Sequence, residues 1–193
     1  MVHFDEEAAL PPQFQQRLNS LLPTDIAIKH LYQAVKPDFH TRFSATHRAY
    51  IYQLIQHKSP FFQTSASWIR QDLALDRMQQ AADLLLQYED FASFCKSRSG
   101  TTHYLCRMDH AYFQQEGEVL CFHIGANRFL RGMVRAIVGS LLWVGMGKWS
   151  VEEFQQRIEA RDRRQAGPNA ESKGLFLTEV RYPAGSFVPI SET

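Results

Sequence analysis

The sequence predicts an α+β fold, in which a mostly antiparallel sheet carries helices on one face. Residues 50–55 (YIYQLI) are rich in the aromatic and β-branched side chains that are typical of a strand. Residues 102–113 and 118–124 predict two further strands, paired through a turn at Glu116-Gly117. Apolar side chains then recur at helical spacing over residues 127–145. This order of elements indicates an α+β protein.

Ahead of residue 60 the pattern predicts one helix and two strands. Pro11 and Pro12 open the helix, and Pro23 ends it. Its predicted buried stripe consists of Phe14, Leu18, Leu21 and Leu22. A strand is predicted over residues 25–32. The strand at 50–55 places Tyr50 and Tyr52 on one face and Ile51 and Ile55 on the other.

The remaining elements surround the region 127–145. A helix that follows Asp76 has as its predicted inward residues Met78, Ala82, Leu85 and Leu86. Ser150 and Glu153 form a capping box for a shorter helix. Residues 161–173 predict a polar loop and residues 174–182 a last strand, with a tail from residue 184.

The helix over residues 127–145 is the most informative segment. Asn127 is its predicted N-cap, and Gly145 stands where it should end. A ridge of small side chains would let another backbone approach closely: Gly132, Ala136, Gly139 and Ser140. Three arginines at spacings of three and four would share one flank: Arg128, Arg131 and Arg135.

These arginines adjoin an apolar seam near the predicted helix N-terminus, where the helix dipole disfavours cations. The placement indicates a negative partner, either a carboxylate of another segment or an RNA phosphate. An ordinary amphipathic helix with a basic rim would show the same pattern, so both interpretations stay open here.

Composition argues against a globally basic RNA-binding protein and against a disulfide or metal framework of cysteines. The formal net charge is +1, so any RNA contact must come from a local patch and not from a global positive field. The three cysteines, Cys95, Cys106 and Cys121, form no CxxC pair and no metal-ligand spacing, which favours buried reduced thiols. The eight histidines are scattered, and no cofactor motif occurs. No metal or cofactor is therefore expected. No signal peptide or membrane span is apparent, so we expect a cytoplasmic protein.

Tyr50 is a candidate for binding an unstacked base. It lies on a strand that follows Arg42, His47 and Arg48, so its ring could stack on a base while arginines hold phosphates. The alternative is an ordinary aromatic pair with Tyr52 on a half-buried sheet. By position and charge the candidate RNA contacts are Arg42, Arg48, Lys96, Arg98, Arg128 and Arg135, whereas Arg161, Arg163 and Arg164 are interpreted as a solvated loop.

Three blocks of sequence resemble a known family. RFSATHRAYIY at 42–52, FHIGANRFLRGMVRAIVGSL at 122–141 and GLFLTEVRYP at 174–183 resemble, in order and spacing, the corresponding blocks of the TruA-type tRNA pseudouridine synthases. The opening VHF and the run PDFHTRFSAT fit as well, so the resemblance extends from Val2 to about Pro183.

The resemblance implies an enzyme that isomerises uridine to pseudouridine in the anticodon stem-loop of tRNA, without cofactor or metal. The target nucleotide is flipped out, an aspartate initiates cleavage of the glycosidic bond, and the uracil rotates and rejoins the ribose through carbon. Tyr50 matches the tyrosine that stacks on the uracil, Arg131 the arginine that pairs with the aspartate, and Leu175 the apolar residue that closes the pocket. A homodimer is also implied.

One departure affects catalysis. In the family the aspartate lies in an RTDAGVHA-like segment shortly before the VHF block, and neither RTD nor DAGVH occurs in this sequence. We therefore expect residues 1–183 to be the C-terminal portion of the catalytic fold, without its N-terminal strands, and residues 184–193 to be a tail. The isolated chain is expected to be inactive. The alternatives are a non-catalytic RNA-binding module and a structural domain with no role in RNA binding.

Overall fold

The structure is a computed structural model that describes Val2, Phe4 and Leu10–Ile190. Residues up to Thr46 and from Arg181 onward form one compact unit, and His47–Val180 form a second. Within the described residues the helices and strands are α1 (Phe14–Leu21), β1 (Tyr32–Ala34), β2 (His47–Ile55), β3 (Ser67–Trp68), α2 (Leu75–Leu84), β4 (Met108–Glu116), β5 (Val119–Ala126), α3 (Met133–Gly145), α4 (Val151–Glu159), β6 (Leu175–Arg181) and β7 (Phe187–Pro189). None of these helices is long and apolar enough to cross a bilayer.

The first unit is built from both ends of the described chain. Strands β1 and β7 pair antiparallel, with Tyr32 opposite Pro189. Aromatic rings support this pair, since Phe187 lies 4.8 Å from Tyr32 and 5.6 Å from Tyr182 between ring centroids. The predicted tail, residues 184–193, therefore contains a paired strand.

The second unit contains a mostly antiparallel sheet. Its strand order is β3-β2-β5-β4, and β6 also pairs with β2. The pairs β2–β5 and β4–β5 are antiparallel, whereas the short pair β2–β3 is parallel. Gly117, at φ 58°, forms the turn of the β4–β5 hairpin, as predicted for Glu116-Gly117.

The main core lies between this sheet and three helices. Tyr52, Phe122 and Ile124 from the sheet pack with buried side chains of α2, α3 and α4. Ile51 and Ile55 of β2 point to the other face, where they join a small cluster with Cys121. The predicted facing of the tyrosines and isoleucines on β2 is confirmed.

The backbone of residues 167–170 packs against the small side chains of helix α3, and the sequence of α3 predicts such a close approach. A Cβ at Gly139 would lie 1.7 Å from the carbonyl oxygen of Pro168, so only glycine fits there. The Ser140 hydroxyl accepts a hydrogen bond from the Gly167 N–H at 2.9 Å. The loop at residues 167–170 thus packs directly on α3.

Several local predictions are wrong. Of the strand predicted over residues 25–32, only Tyr32 lies in a strand, where it begins β1. The Asn19 side chain both donates to the Ile28 carbonyl and accepts from its N–H, which replaces a strand partner there. Helix α1 has no buried residue, and Leu21 is 82% exposed. Leu86, predicted to point inward from α2, is 47% exposed, because the chain passes into a 3₁₀ turn at Leu85.

Candidate active site

Tyr50 lies half-buried on strand β2, opposite Ile124 of β5. Its ring meets the ring of Phe129 edge-on, with 5.2 Å between centroids and 88° between planes. Both rings pack against the main core without being fully buried in it. The aromatic edge contact fixes the Tyr50 ring from one side.

Burial raises the pKa of Tyr50 above its usual value of 10.0, and the neighbouring Arg48 guanidinium opposes this shift. The phenol is therefore neutral at physiological pH. A neutral ring presents a π-face and a hydroxyl rather than a phenolate, which suits stacking on a base.

The segment between β5 and α3 lies beside Tyr50. Arg48 Nη1 donates to the Asn127 carbonyl at 2.9 Å, which holds the start of this segment against β2. Phe129 follows and contacts Tyr50. The Arg131 carbonyl accepts from the Lys96 N–H at 2.8 Å. No local pattern in the sequence distinguishes Phe129 as a site residue, although it stands within the block that resembles the family.

Arg131 is exposed at the end of this segment. No carboxylate among the described residues lies within ion-pair distance of its guanidinium. Asp90, for example, pairs with Arg161 at 3.2 Å, and Asp162 pairs with Arg164 at 2.8 Å. Arg131 thus presents a positive charge without an acidic partner in the described part of the chain.

The predicted helix start at Asn127 is wrong. Helix α3 begins at Met133, and its N-cap is Gly132 in the left-handed conformation at φ 76°. Asn127 instead accepts a hydrogen bond from the Arg107 N–H through Oδ1 at 2.8 Å, which ties it to another segment. Arg128 and Arg131 consequently lie outside the helix and share no helical flank with Arg135.

The two flanking arginines have separate contacts. Arg128 Nη1 contacts the ring nitrogens of His103. Arg135 is half-buried, and its Nε donates to the Ala170 carbonyl at 2.6 Å. Because the Ala170 N–H donates back to the Arg135 carbonyl at 2.9 Å, Arg135 anchors the loop that packs on α3.

Leu175 is half-buried at the start of β6 and packs against the main core. The Gln53 N–H donates to the Gly174 carbonyl at 2.8 Å, and the Thr178 hydroxyl donates to the Ala49 carbonyl at 3.2 Å. These bonds make β6 antiparallel to β2, which places Leu175 on the same face as the two tyrosines. The same register puts Leu177, 51% exposed, opposite Tyr50.

A second feature is a cleft of about 300 Å³ beside the segment 92–104. Four of its lining residues are cationic, and we call this set the basic cleft: Lys96, Arg98, Arg161 and Arg163. The hydroxyl groups of Ser97, Ser99 and Thr101 belong to its lining as well. The sequence favours a solvated loop for Arg161 and Arg163, because it gives no sign that they lie beside Lys96, which is 65 positions earlier than Arg161.

Arg42 belongs to the first unit. Its guanidinium lies 5.3 Å from the ring centroid of Phe43, and its N–H donates to His40 Nδ1 at 3.0 Å. Among the predicted site residues, Tyr50 and Leu175 both pack against the main core of the second unit. Tyr50 contacts Phe129 of the segment that bears Arg131, and Lys96 is bonded to that segment.

Comparisons with known proteins identify the family of this chain. A family model described as tRNA pseudouridine synthase matches residues 81–183. A relative named tRNA pseudouridine synthase A, from Bacteroides thetaiotaomicron, is 44% identical over 97% of this chain and 71% of that protein. Relatives of the same name are 38% identical in Thermus thermophilus, covering 97% of this chain and 76% of that protein, and 37% identical in Francisella tularensis subsp. novicida, covering 97% and 73%. The chain belongs to the tRNA pseudouridine synthase family.

Proposed function

We propose that this chain binds the anticodon stem-loop of tRNA and holds a target uridine for its isomerisation to pseudouridine. The family supports the reaction, since the relatives are named as synthases of this kind. The observation that carries the proposal for this site is the half-buried, neutral Tyr50 ring, fixed edge-on by Phe129 on a partly apolar surface.

Tyr50 stacks on the uracil of a flipped nucleotide in this proposal. Stacking of a base on an aromatic side chain is worth about 1–3 kcal/mol, and it requires no particular hydrogen-bond pattern from the ring. Leu175 closes the pocket from β6 and keeps water from the base. Leu177, opposite Tyr50, extends the same apolar wall.

Arg131 holds the carboxylate of the catalytic aspartate. The isomerisation breaks the bond between ribose C1′ and uracil N1 and forms one between C1′ and C5. N1 gains a proton while C5 loses one, so neither oxidant nor reductant is needed. No RTDAGVHA-like segment occurs in the 193 residues, and we propose that they bind substrate but do not turn it over.

Cations outside the pocket hold the RNA backbone. The proposed phosphate contacts are Arg42, Arg48, Lys96, Arg98, Arg128 and Arg135, to which the geometry of the basic cleft adds Arg161 and Arg163. Arg135 would act with only part of its donors, because Nε already bonds to Ala170. A homodimer is part of the same proposal and can be tested by sedimentation velocity.

The decisive experiment measures binding and modification together. The purified chain is incubated with an unmodified tRNA transcript, binding is measured by titration, and pseudouridine is mapped by chemical labelling. We expect binding without modification. Tyr50→Ala should weaken binding about 5- to 150-fold, whereas Tyr50→Phe, which keeps the ring, should bind like the parent chain.

Tyr112→Ala is the matched control, since Tyr112 is 41% exposed on β4 of the same sheet and stacks on His123. Equal losses in Tyr50→Ala and Tyr112→Ala would contradict a specific role for Tyr50. Pseudouridine formed by the chain itself would contradict the proposed need for a further aspartate. Binding that persists with no modification, but with no dependence on Tyr50, would favour a non-catalytic RNA-binding module.

A further inference from the structure

We propose that Glu116, Cys121 and His123 form a binding site for one zinc ion on the β4–β5 hairpin. One ligand atom from each of these residues lies within 4.8 Å of the other two. This site is independent of the proposed uridine pocket, because it lies on the opposite face of the sheet.

The hairpin register brings the three residues together. Cys121 and His123 are two positions apart on β5, so their side chains point to the same face. Glu116, the last residue of β4, is opposite Val119 and reaches along this face. Cys121 packs there with the small cluster of Ile55, whereas Phe122 points to the helical core.

The separation of the His123 and Glu116 ligand atoms fits two ligands of one metal ion better than a hydrogen bond. His123 Nε2 lies 3.6 Å from Glu116 Oε1, beyond hydrogen-bond reach. This nitrogen is buried and has no hydrogen-bond partner among the described residues. Ligand atoms around a tetrahedral zinc ion are about 3.3–3.7 Å apart, as follows from metal–ligand distances of about 2.0–2.3 Å. A zinc ion would satisfy the buried nitrogen.

The hairpin also holds the ligands in place. The His123 ring stacks on Tyr112 with 4.8 Å between centroids and 8° between planes, which fixes the plane of the imidazole. Cys121 is 1% exposed, while the Glu116 side chain is 51% exposed and can close onto an ion from the solvent side. An ion can therefore enter past Glu116, and the fourth position is left for water.

The donor set selects the metal. Thiolate and imidazole ligands favour zinc among the common divalent ions, whereas calcium and magnesium require oxygen ligands. A thiolate and a carboxylate together neutralise the two positive charges of the ion. Such a site would join the two strands of the hairpin and stabilise the folded chain.

Zinc titration of the chelator-treated chain tests this site. We expect one equivalent to bind, and cobalt in its place to show the near-ultraviolet charge-transfer band of a thiolate ligand. At a free zinc concentration of 100 times the dissociation constant, the melting temperature should rise by about 5–10 °C. Cys121→Ser should abolish the cobalt band, and Glu116→Gln, at an exposed position, should weaken zinc binding without affecting the fold.

Cys106→Ser and Glu118→Gln are the matched controls. Cys106 is buried like Cys121, and Glu118 is an exposed acid of the same hairpin, but neither belongs to the cluster. Both controls should bind zinc like the parent chain. The proposal is overturned if the parent chain binds no zinc, or if its binding and cobalt band survive Cys121→Ser.

Discussion

Tyr50 and Tyr52 are two residues apart on the same face of β2, yet their surroundings differ. The Tyr52 hydroxyl is bonded to Ser67 Oγ at 2.6 Å and donates to the Glu171 carbonyl at 2.8 Å, and the residue is fully buried. Tyr50 is half-buried and meets only an aromatic edge among the described ring contacts. The sequence could identify the pair, but only the structure shows that Tyr52 serves the core and that Tyr50 remains accessible.

The buried thiol of Cys106 should make the stability of the chain depend on pH. Desolvation by burial raises the pKa of Cys106 from 9.0 to about 11, despite the opposing charge of Arg128. Below pH 9 the Cys106 thiol is protonated in both the folded and the unfolded chain. In this range the thiol therefore does not lower the free energy of unfolding. Between pH 9 and 11 the unfolded chain loses this proton first, and the free energy of unfolding should fall.

Chemical denaturation at pH 8, 9, 10 and 11 measures this loss. In Cys106→Ala the fall in the free energy of unfolding across this interval should be smaller than in the parent chain. The cavity left by Cys106→Ala would lower the free energy of unfolding equally at every pH. The informative quantity is therefore the slope of this free energy against pH. An identical slope in both chains would contradict the assigned shift.

The elements show which sequence signals are reliable. The capping box of α4 is confirmed, with the Ser150 hydroxyl accepting from the Glu153 N–H at 3.1 Å and Glu153 Oε2 accepting from the Ser150 N–H at 2.8 Å. All partners of this motif lie within four residues. The predicted cap at Asn127 failed because its partner, Arg107, is 20 residues away.

The distance along the chain between interacting residues also explains which of the other predictions succeeded. The side chains that share a face of β2 and the glycine at the hairpin turn follow from local signals, and both were predicted correctly. The strand expected over residues 25–32 failed because a side chain of α1, Asn19, satisfies the backbone of Ile28. The cleft and the Glu116–Cys121–His123 cluster depend on pairing between segments, which no single window of sequence contains.

The contribution of the α4 cap to stability can be measured by substituting Ser150. Ser150→Ala removes the acceptor for the Glu153 N–H and should lower the free energy of unfolding by about 0.5–2 kcal/mol. Ser150→Asp, which keeps an acceptor oxygen, should retain most of the parent stability. Urea denaturation of the two variants gives the comparison, and equal stabilities would show that the cap contributes nothing.

For attraction to RNA, the placement of charged side chains on the whole molecule matters more than its total charge. A formal net charge of +1 gives no overall attraction to RNA, yet four cations line one cleft of about 300 Å³. The Asp162 carboxylate in the same lining is already bonded to Arg164. Arg161 is paired with Asp90 at 3.2 Å, so Lys96, Arg98 and Arg163 supply the positive charge that the cleft concentrates on a nearly neutral protein.

The salt dependence of tRNA binding should report this cleft. Each phosphate contact contributes about 0.7–0.9 to the slope of log affinity against log salt concentration. The double variant Lys96→Ala, Arg98→Ala should therefore reduce the slope by about 1.4–1.8. The control pair Lys58→Ala, Arg77→Ala removes two exposed cations from outside the cleft and should leave the slope unchanged. An equal effect of both pairs would mean that only total charge matters.

The pairing of β1 with β7 has a consequence for how the protein is made. Tyr32 leaves the ribosome before its partner Pro189, which is synthesised 157 residues later. The second unit is continuous in sequence from His47 to Val180, so it can fold as soon as its own residues are available. The first unit can be completed only after residues 187–189 have been synthesised, and its early segment has no strand partner until then.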